Sequence, residues 1–312
     1  MHDDHLARVA ELAGIDLPEG ARSTDHHVIL DGRRFHYLAW GDDDRFPVLF
    51  LHGGNQSAHT WDVVCASLSD RYHCVALDQR GHGDSEWSYE LDYGPAAMAG
   101  DAFNLVTHLG WRRFALVGMS LGCLASLHLA ADDSMRDRLA ALVAVDAGPY
   151  VSEGGGPQII DFVSANLSHE TFEDYVQAAV RHNPKRRVEL LRHSLGNTVR
   201  QLSDGTWTWK ADRRRPVTLD TMRTWLAPLE GLVPSIDCPV LVARGSHSHV
   251  LSAADADRFA RQLRRGRTVT IADAGHAIQG DNPRGLLDAV EPFLAETVQA
   301  GAGRPGGQWA AT

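Results

Sequence analysis

The motif G-x-S-x-G spans residues 118–122 around Ser120. It follows a short apolar run, residues 114–120, and precedes an apolar pattern with helical spacing. A turn from strand to helix this tight admits only small residues two positions before and two positions after the serine. The turn lifts the hydroxyl above the sheet at a helix amino terminus, where developing negative charge is favoured. The pattern therefore predicts that Ser120 is a nucleophile, with a plain helix cap as the alternative.

Short apolar runs alternate with helical patterns along most of the chain. Before them, residues 26–41 form two extended runs joined by Asp31 and Gly32, which predicts a hairpin. The apolar runs cover residues 47–53, 74–78, 114–120, 142–148, 238–245 and 268–276. Runs of this length are typical of strands buried on both faces. With crossover helices between them, they predict an α/β fold with a mostly parallel, doubly wound sheet.

The rhythm of strands breaks after Gly148 and returns at residue 238. The stretch between them contains helical patterns and a turn centred on Gly205. We interpret residues 150–233 as a mostly helical cap, inserted into a core formed by residues 1–149 and 234–312. The glycine-rich carboxyl-terminal tail is expected to fray.

Four motifs occur in the order and at the spacing of a known superfamily. They are L-H-G-G at residues 51–54, D-Q-R-G-H-G-D-S at residues 78–85, the serine motif at residues 118–122 and A-G-H at residues 274–276. On these motifs the chain resembles the α/β-hydrolase superfamily over residues 26–298, in particular its cap-bearing esterase, lactonase and carbon–carbon-bond hydrolase branch. The resemblance implies the α/β-hydrolase fold and a serine hydrolase.

The resemblance also assigns roles to single residues. In the family, the histidine after the last strand is the base of the catalytic triad, which implies this role for His276. The backbone N–H groups of Leu121, next to the nucleophile, and of Gly54, in the H-G-G loop, are implied to converge on the oxyanion of a tetrahedral intermediate. The other polar residues of the motifs are expected to support the loops. They are His52, Asp78, Arg80 and His82.

The third member of the expected triad departs from the family pattern. In relatives the carboxylate commonly lies in the loop after the penultimate strand, at the position that His249 occupies here. That loop, residues 245–252, contains no carboxylate. One interpretation is that Asp146, at the end of an earlier strand, orients His276. Alternatively, Ser120 and His276 act as a dyad, or the chemistry has changed and His249 takes part in it.

Composition and charge exclude several classes of protein. With 44% hydrophobic and 22% charged residues, the chain has ordinary globular composition. Its net charge of −10 opposes a nucleic-acid partner and an anionic membrane surface, because both attract lysine and arginine. The amino terminus lacks the apolar core of a signal peptide, and no stretch approaches the roughly 20 apolar residues of a membrane span. The 4 cysteines show neither metal-site nor disulfide spacing, which predicts buried thiols in a reducing cytoplasm.

The reaction that we expect is acyl transfer to water, on a small-molecule substrate that enters under the cap. Five tryptophans suggest an apolar lining, and hence a hydrophobic ester, lactone or thioester. They are Trp61, Trp87, Trp207, Trp209 and Trp225. Trp61 and His249 are the candidates for contact with the substrate.

No cofactor is implied by the sequence. A metal site at His247, His249 and His276 is disfavoured, because no carboxylate completes a zinc set. The sequence does not fix the oligomeric state and is compatible with a homodimer. Two rival interpretations stay open: a non-hydrolytic enzyme of the same fold, such as a lyase or cyclase, and a catalytically weak ligand-binding protein.

Overall fold

A central sheet organises the chain. The computed structural model describes residues 2–152, 155, 157, 160, 168–182, 186–214 and 217–302. The strands are β1 (Ser23–Leu30), β2 (Arg33–Trp40), β3 (Phe46–Leu51), β4 (Tyr72–Leu77), β5 (Phe114–Met119), β6 (Leu139–Val145), β7 (Ser168–His169), β8 (Val199–Gln201), β9 (Trp207–Trp209), β10 (Val240–Gly245) and β11 (Gly266–Ile271). The α-helices bounded within these residues are α1 (His2–Leu12), α2 (Asp62–Leu68), α3 (Pro95–His108), α4 (Leu121–Ala130), α5 (Phe172–His182), α6 (Val188–Thr198), α7 (Leu219–Leu226), α8 (Leu229–Leu232), α9 (Ala253–Gln262), α10 (Ile278–Asp281) and α11 (Pro283–Ala302). None of the helices in the described residues combines the length and the apolar character that a membrane crossing needs.

Eight strands form the sheet, in the order β1-β2-β4-β3-β5-β6-β10-β11. β1 and β2 form an antiparallel hairpin, whose turn residues Asp31 and Gly32 have φ values of 47° and 74°. A two-residue hairpin turn of type I′ requires a positive φ at both positions. β2 also pairs antiparallel with β4, and all later neighbours pair parallel. The predicted hairpin and the predicted α/β fold are confirmed.

The strand order reverses between β3 and β5. From β3 the chain passes to β4 on one side and later returns to β5 on the other, so the carboxyl ends of β3 and β5 are neighbours, with Leu51 paired to Gly118. A switch point of this kind is the usual ligand site of an open α/β sheet. The H-G-G loop follows β3, and Ser120 follows β5. The topology therefore brings these two motifs together.

Helices cover both faces of the sheet. α1, α2 and α11 bury side chains such as Val9, Val64 and Leu286 against one face. α3 and α9 bury side chains such as Leu105 and Phe259 against the other. Strands enclosed on both faces need apolar side chains in both directions, which explains why the sequence of β6, LAALVAV, is a continuous apolar run rather than an alternating one.

The chain between β6 and β10 adds a small unit of its own. In the described residues it contains α5 to α8 and a three-stranded antiparallel sheet in the order β7-β9-β8. Tyr175, Leu195 and Trp209 belong to a separate apolar cluster there. Gly205, with φ of 88°, forms the turn between β8 and β9. The division into a core and a cap at residues 150–233 stays a prediction, and part of that range, like residues 303–312 of the tail, lies outside the described residues.

Candidate active site

Ser120 lies at the junction of β5 and α4, in a strained backbone conformation. Its φ of 51° and ψ of −118° are values that a residue with a side chain rarely adopts. The tight turn leaves no room for larger neighbours: a Cβ atom on Gly118 would lie 2.3 Å from Ser126 Oγ, and one on Gly122 would lie 2.4 Å from the carbonyl oxygen of Leu51. Both glycines of the motif are therefore required by packing, and the serine side chain keeps access to solvent.

A continuous chain of hydrogen bonds links Ser120 to a histidine and a carboxylate. His276 Nε2 lies 2.9 Å from Ser120 Oγ, and His276 Nδ1 lies 2.8 Å from Asp146 Oδ2. The three residues come from loops after β5, β6 and β11, and only the fold brings them together. The carboxylate is completely buried, whereas the histidine side chain is 24% exposed. Such an arrangement can transfer the proton of the hydroxyl to the imidazole.

Asp146 is held in place by partners on both carboxylate oxygens. The backbone N–H of Gly245 donates to Oδ1 over 2.9 Å, and the hydroxyl of Ser248 donates to Oδ2, the atom that also contacts His276. Ser248 Oγ is itself fixed, because it accepts the N–H of Val250 over 3.1 Å. The loop that lacks a carboxylate thus supplies donors to a carboxylate from the neighbouring strand. Of the interpretations of the missing acid, this geometry favours Asp146.

His249 does not take the place of the acid. Its side chain is exposed, and its backbone carbonyl is the group that meets the hydroxyl of Ser152. Ser248, one position earlier, is the residue whose side chain points at Asp146. The structure therefore brings together Ser120, His276 and Asp146 but leaves His249 outside their hydrogen-bond chain.

The H-G-G loop lies directly against the serine. A Cβ atom on Gly53 would lie 2.5 Å from Met119 Sδ and 3.2 Å from Ser120 Cβ, so only glycine fits there. A Cβ atom on Gly54 would lie 4.0 Å from Leu121 Cδ2, which places the two residues with the expected oxyanion N–H groups next to each other. Gly54 is exposed, so the approach to the serine is open on this side.

His52 supports this loop from behind. It is fully buried, and burial lowers its pKa to about 4, so the ring is neutral at neutral pH. As a neutral ring it can donate from Nδ1 to the carbonyl of Gly53 over 2.8 Å and accept at Nε2 the N–H of Gln79 over 3.1 Å. The buried ring of His82 packs at its edge, with centroids 5.1 Å apart. Both histidines lie where a supporting role was expected for them.

The D-Q-R-G-H-G-D-S loop is organised by a buried carboxylate. Asp78 accepts the backbone N–H groups of Ala58 over 2.6 Å and Asp84 over 2.8 Å, and it contacts His36 Nδ1 over 2.7 Å. A separate buried ion pair, Arg80 to Asp101, fixes the other side of the loop. Asp78 and Arg80 thus hold the loop, in agreement with the structural role expected for them.

We expect the replacement His36→Gln to destabilise the protein more at pH 6 than at pH 9. Burial opposes the charge on His36, but its hydrogen bond and attraction to Asp78 outweigh burial, so the pKa of His36 is raised. The stabilisation by a group with a raised pKa is complete below its unfolded value of about 6.5 and is lost as the pH rises through the folded value. Urea unfolding at both pH values should show a penalty of about 1–3 kcal/mol at pH 6.

The same change at the exposed His108 is the control and measures the general cost of replacing a surface histidine. If His36→Gln lowers the free energy of unfolding equally at both pH values, the charge on His36 does not contribute to stability.

Two glutamines connect the H-G-G loop to the loop of His276, and no motif in the sequence marks them. Gln56 Oε1 accepts the N–H of Gly53 over 3.0 Å. The amide of Gln279, three positions after His276, donates to Thr60 Oγ1 over 3.0 Å and to Gln56 Oε1 over 3.4 Å. We call Gln56 and Gln279 the glutamine brace. It ties together the two loops that carry the expected oxyanion donor and the histidine.

The expectation for Trp61 is wrong. Its side chain is fully buried and packs on Phe50, with ring centroids 5.3 Å apart, in the apolar core between the sheet and α2. The reason is that residues 58–68 turn their apolar side chains towards the sheet. Trp209 is likewise buried in the cluster of the predicted cap, whereas Trp87, Trp207 and Trp225 are half-buried.

One trio in the described residues has its ligand-type atoms close enough to suggest a metal site: His36, Asp78 and Asp84, within 4.8 Å of one another. Asp78 and His36 bond to each other, and the carboxylate of Asp84 pairs with Lys210 Nζ over 2.9 Å. These contacts explain the trio as an ion-pair network that fixes the loop. His247, His249 and His276 do not form such a group in the described residues.

Comparison with known proteins identifies the family of the chain. A model of the alpha/beta hydrolase fold family matches residues 47–283. The esterase Rv0045c of Mycobacterium tuberculosis is 30% identical over 93% of this chain and 94% of that protein. The 2-(acetamidomethylene)succinate hydrolase of Mesorhizobium japonicum is 27% identical over 79% of this chain and 87% of that protein.

Solved structures show the same relationship. A crystal structure of the Mycobacterium tuberculosis esterase superposes with a TM-score of 0.74 and 29% identity, over 93% of this chain and 96% of that chain. The structure of E-2-(acetamidomethylene)succinate hydrolase superposes with a TM-score of 0.79 at 24% identity, over 88% of this chain and 100% of that chain, which by itself shows the fold. The chain therefore belongs to the alpha/beta hydrolase fold family, and it is an enzyme of the hydrolase class.

Proposed function

We propose that the protein is a serine hydrolase that cleaves a hydrophobic ester, lactone or thioester through an acyl-enzyme on Ser120. The observation that carries the proposal is the continuous contact from Ser120 Oγ through His276 to the buried carboxylate of Asp146. In this arrangement the hydroxyl is the nucleophile, the imidazole is the base, and the carboxylate fixes the imidazole and stabilises its charge. The names of relatives that are esterases and hydrolases support the same reaction class.

The proposed reaction has two steps. In the first, His276 Nε2 takes the proton of Ser120 while Oγ attacks the carbonyl carbon, and the oxyanion receives the N–H groups of Gly54 and Leu121. The histidine then gives the proton to the leaving group, the ester bond breaks, and the acyl group stays on the serine. In the second step His276 takes a proton from water while the water oxygen attacks the acyl carbonyl. The bond between Ser120 Oγ and the acyl carbon then breaks, His276 returns the proton to Oγ, and the acid leaves.

The contact of Asp146 with His276 bears on the rival proposals. The proposal of a lyase or cyclase was based on the lack of an acid in the loop after β10. The carboxylate of Asp146, after β6, lies at hydrogen-bond distance from His276, so that reason no longer applies. The contact of His276 Nε2 with Ser120 Oγ over 2.9 Å supports catalysis over the ligand-binding alternative.

Release of p-nitrophenol from p-nitrophenyl esters with short and medium acyl chains tests the proposal. The wild-type protein should hydrolyse them above the rate of its Ser120→Ala variant, and kcat/KM should rise with the acyl chain if the site is apolar. Equal rates for the two proteins would contradict a serine hydrolase.

We also propose that the protein works in a reducing compartment such as the cytoplasm. All four cysteines are free and buried, and burial raises the pKa of Cys238 to about 12. Buried thiols in this state are unreactive, and free thiols persist where the compartment is reducing, which supports the proposal.

Loss of the glutamine brace should slow the reaction without unfolding the protein. We expect Gln279→Met and Gln56→Met each to lower kcat by about 10-fold, because a small displacement of an oxyanion donor weakens a contact made in the transition state. Since the two residues act through one hydrogen bond, the double variant should lose little more than either single variant.

Steady-state kinetics of the four proteins form the double-mutant cycle, with thermal unfolding measured alongside. Gln177→Met, on the exposed face of α5, is the matched control and should leave kcat unchanged. If the losses of kcat in the two single variants multiply in the double variant, the two residues do not act together. If stability falls in parallel with kcat, the residues contribute through packing and not through the position of the oxyanion donor.

A further inference from the structure

A cation from the predicted cap lies on the loop that carries His276. Arg186, two positions before α6, has its Nε 3.8 Å from Oδ1 of Asp281, in α10. The side chains of the pair are 11% and 6% exposed, so solvent screens their attraction only weakly. Burial lowers the pKa of the guanidinium, and the attraction of Asp281 opposes that shift. The ion pair joins the predicted cap to the core close to the proposed base.

Asp281 also bonds to the backbone beside His276. Its other carboxylate oxygen, Oδ2, accepts the N–H of Gly275 over 2.9 Å. His276 follows Gly275 directly, so the position of this N–H determines where the chain enters the histidine. The ring nitrogens of His276 lie 2.9 Å from Ser120 Oγ and 2.8 Å from Asp146 Oδ2, and bonds of this length tolerate little displacement. A shift of the Asp281 carboxylate would therefore disturb the hydrogen bonds of the base.

The guanidinium of Arg186 lies against Gly280. A Cβ atom on Gly280 would lie 2.1 Å from Nη2 and 2.3 Å from Cζ of the arginine, which are the nearest atoms outside its own helix. Gly280 belongs to α10, and its φ is not in the left-handed region, so its backbone does not itself require glycine. The lack of a side chain at this position is what lets the cation lie on the histidine loop.

The surroundings of Arg186 leave no room for a substrate. The cavity that it lines has a volume of about 20 Å³, which holds about one water molecule. The cavity is also lined by His59, Thr60, His193 and Gln279. An ester does not fit in this space, so a contact of Arg186 with the loop explains its position better than a contact with substrate.

A second contact fixes α6 to the core. His193, in α6, has its Nε2 2.9 Å from Oδ2 of Asp62, and the same oxygen lies 3.0 Å from His59 Nδ1. The side chains of His193 and Asp62 are both buried. Because the helix is attached to α2 in this way, the residues just before it, Arg186 among them, approach α10 from a defined position.

We propose that Arg186 is a positioning residue for His276. It holds the carboxylate of Asp281 against the N–H of Gly275, and this contact keeps the imidazole within hydrogen-bond distance of the nucleophile. The inference rests on the proposed function and adds to it a residue from the predicted cap. The base is then in place only while the segment before α6 lies on α10.

Arg186→Gln tests the inference, because it removes the charge opposite Asp281 Oδ1. It should lower kcat for p-nitrophenyl butyrate roughly 10- to 100-fold, as for a small misplacement of a catalytic group. KM should change by less than about 2-fold, because acylation and deacylation both use His276 and slow together. Arg186→Lys should recover part of kcat, since it keeps the charge but not the planar fork of donors. The rate at which a fluorophosphonate labels Ser120 should fall with kcat.

Gly280→Ala tests the same contact with the arginine in place. The added methyl group would displace the guanidinium, so this variant should lose kcat as Arg186→Gln does. The double variant should be little slower than either single variant, because both changes break one contact. Arg187→Gln is the matched control: Arg187 is the exposed neighbour of Arg186, and its loss should leave kcat unchanged. Thermal unfolding of each variant ensures that the rates are compared where all of them are folded.

The inference is overturned if Arg186→Gln keeps kcat, if it raises KM at constant kcat, or if Arg187→Gln loses as much. Losses that multiply in the double variant would also overturn it. If Arg186→Gln does not fold, Gly280→Ala and Arg186→Lys decide the matter by the same criteria. Failure of the proposed function is a different result: Ser120→Ala would then hydrolyse the ester at the wild-type rate, whereas failure of the inference leaves hydrolysis dependent on Ser120.

Discussion

Ser120→Ala is expected to lower kcat by several orders of magnitude, up to about 10⁶-fold, since the acyl-enzyme loses the atom on which it forms. His276→Ala should cost about as much, because without the base the hydroxyl is a weak nucleophile. The two residues share one hydrogen bond of 2.9 Å and act as a unit. The double variant should therefore be little slower than either single variant.

Kinetics of the three variants on p-nitrophenyl esters, with thermal unfolding as the control for folding, check this expectation. The serine side chain makes no capping bond to α4, so its loss should leave the stability almost unchanged. Substantial turnover by a folded Ser120→Ala protein would rule out the acyl-enzyme.

Asp146→Asn is expected to lower kcat by about 10⁴-fold, as loss of the acid does in related triads. An asparagine keeps the shape, and its carbonyl oxygen can still accept the N–H of Gly245. It no longer carries the negative charge that stabilises the imidazolium, and its amide group can hold His276 in the wrong tautomer. The expected result is thus a folded protein with a displaced or wrongly protonated base.

His249→Ala is the control for this experiment, because His249 occupies the sequence position of the family's acid but is exposed. It should retain at least about half of the rate, as for a surface substitution. If Asp146→Asn keeps the full rate, a dyad of Ser120 and His276 replaces the triad. If His249→Ala falls as far as Asp146→Asn, the chemistry depends on His249.

Local patterns in the sequence predicted much of the fold. The Asp31–Gly32 turn and the G-x-S-x-G motif need particular backbone angles or small neighbours, and those needs are visible in a few adjacent residues. Strands enclosed on both faces must be apolar throughout, so β3 and β5 were found within a few residues of their observed ends. The short strands β7 to β9 were missed, since two or three residues carry no periodicity.

The rest of the site depends on contacts between distant parts of the chain. His276 and Asp146 are 130 residues apart, and the carboxylate reaches the imidazole because β6 pairs with β10 and β10 pairs with β11, the strand before His276. Ser248 could not be found for the same reason, because its role consists of a bond to Asp146. Trp61 was misjudged because its apolar ring suits a core as well as a pocket, and the sequence does not tell the two apart.

Reaction with a fluorophosphonate, followed by intact-protein and peptide mass spectrometry, reports whether Ser120 is an activated nucleophile. We expect rapid labelling with one adduct per chain, located on the peptide that contains Ser120, and labelling slowed by orders of magnitude in His276→Ala and Asp146→Asn. Absence of an adduct, or an adduct on another residue while hydrolysis proceeds, would contradict a triad built from Ser120, His276 and Asp146.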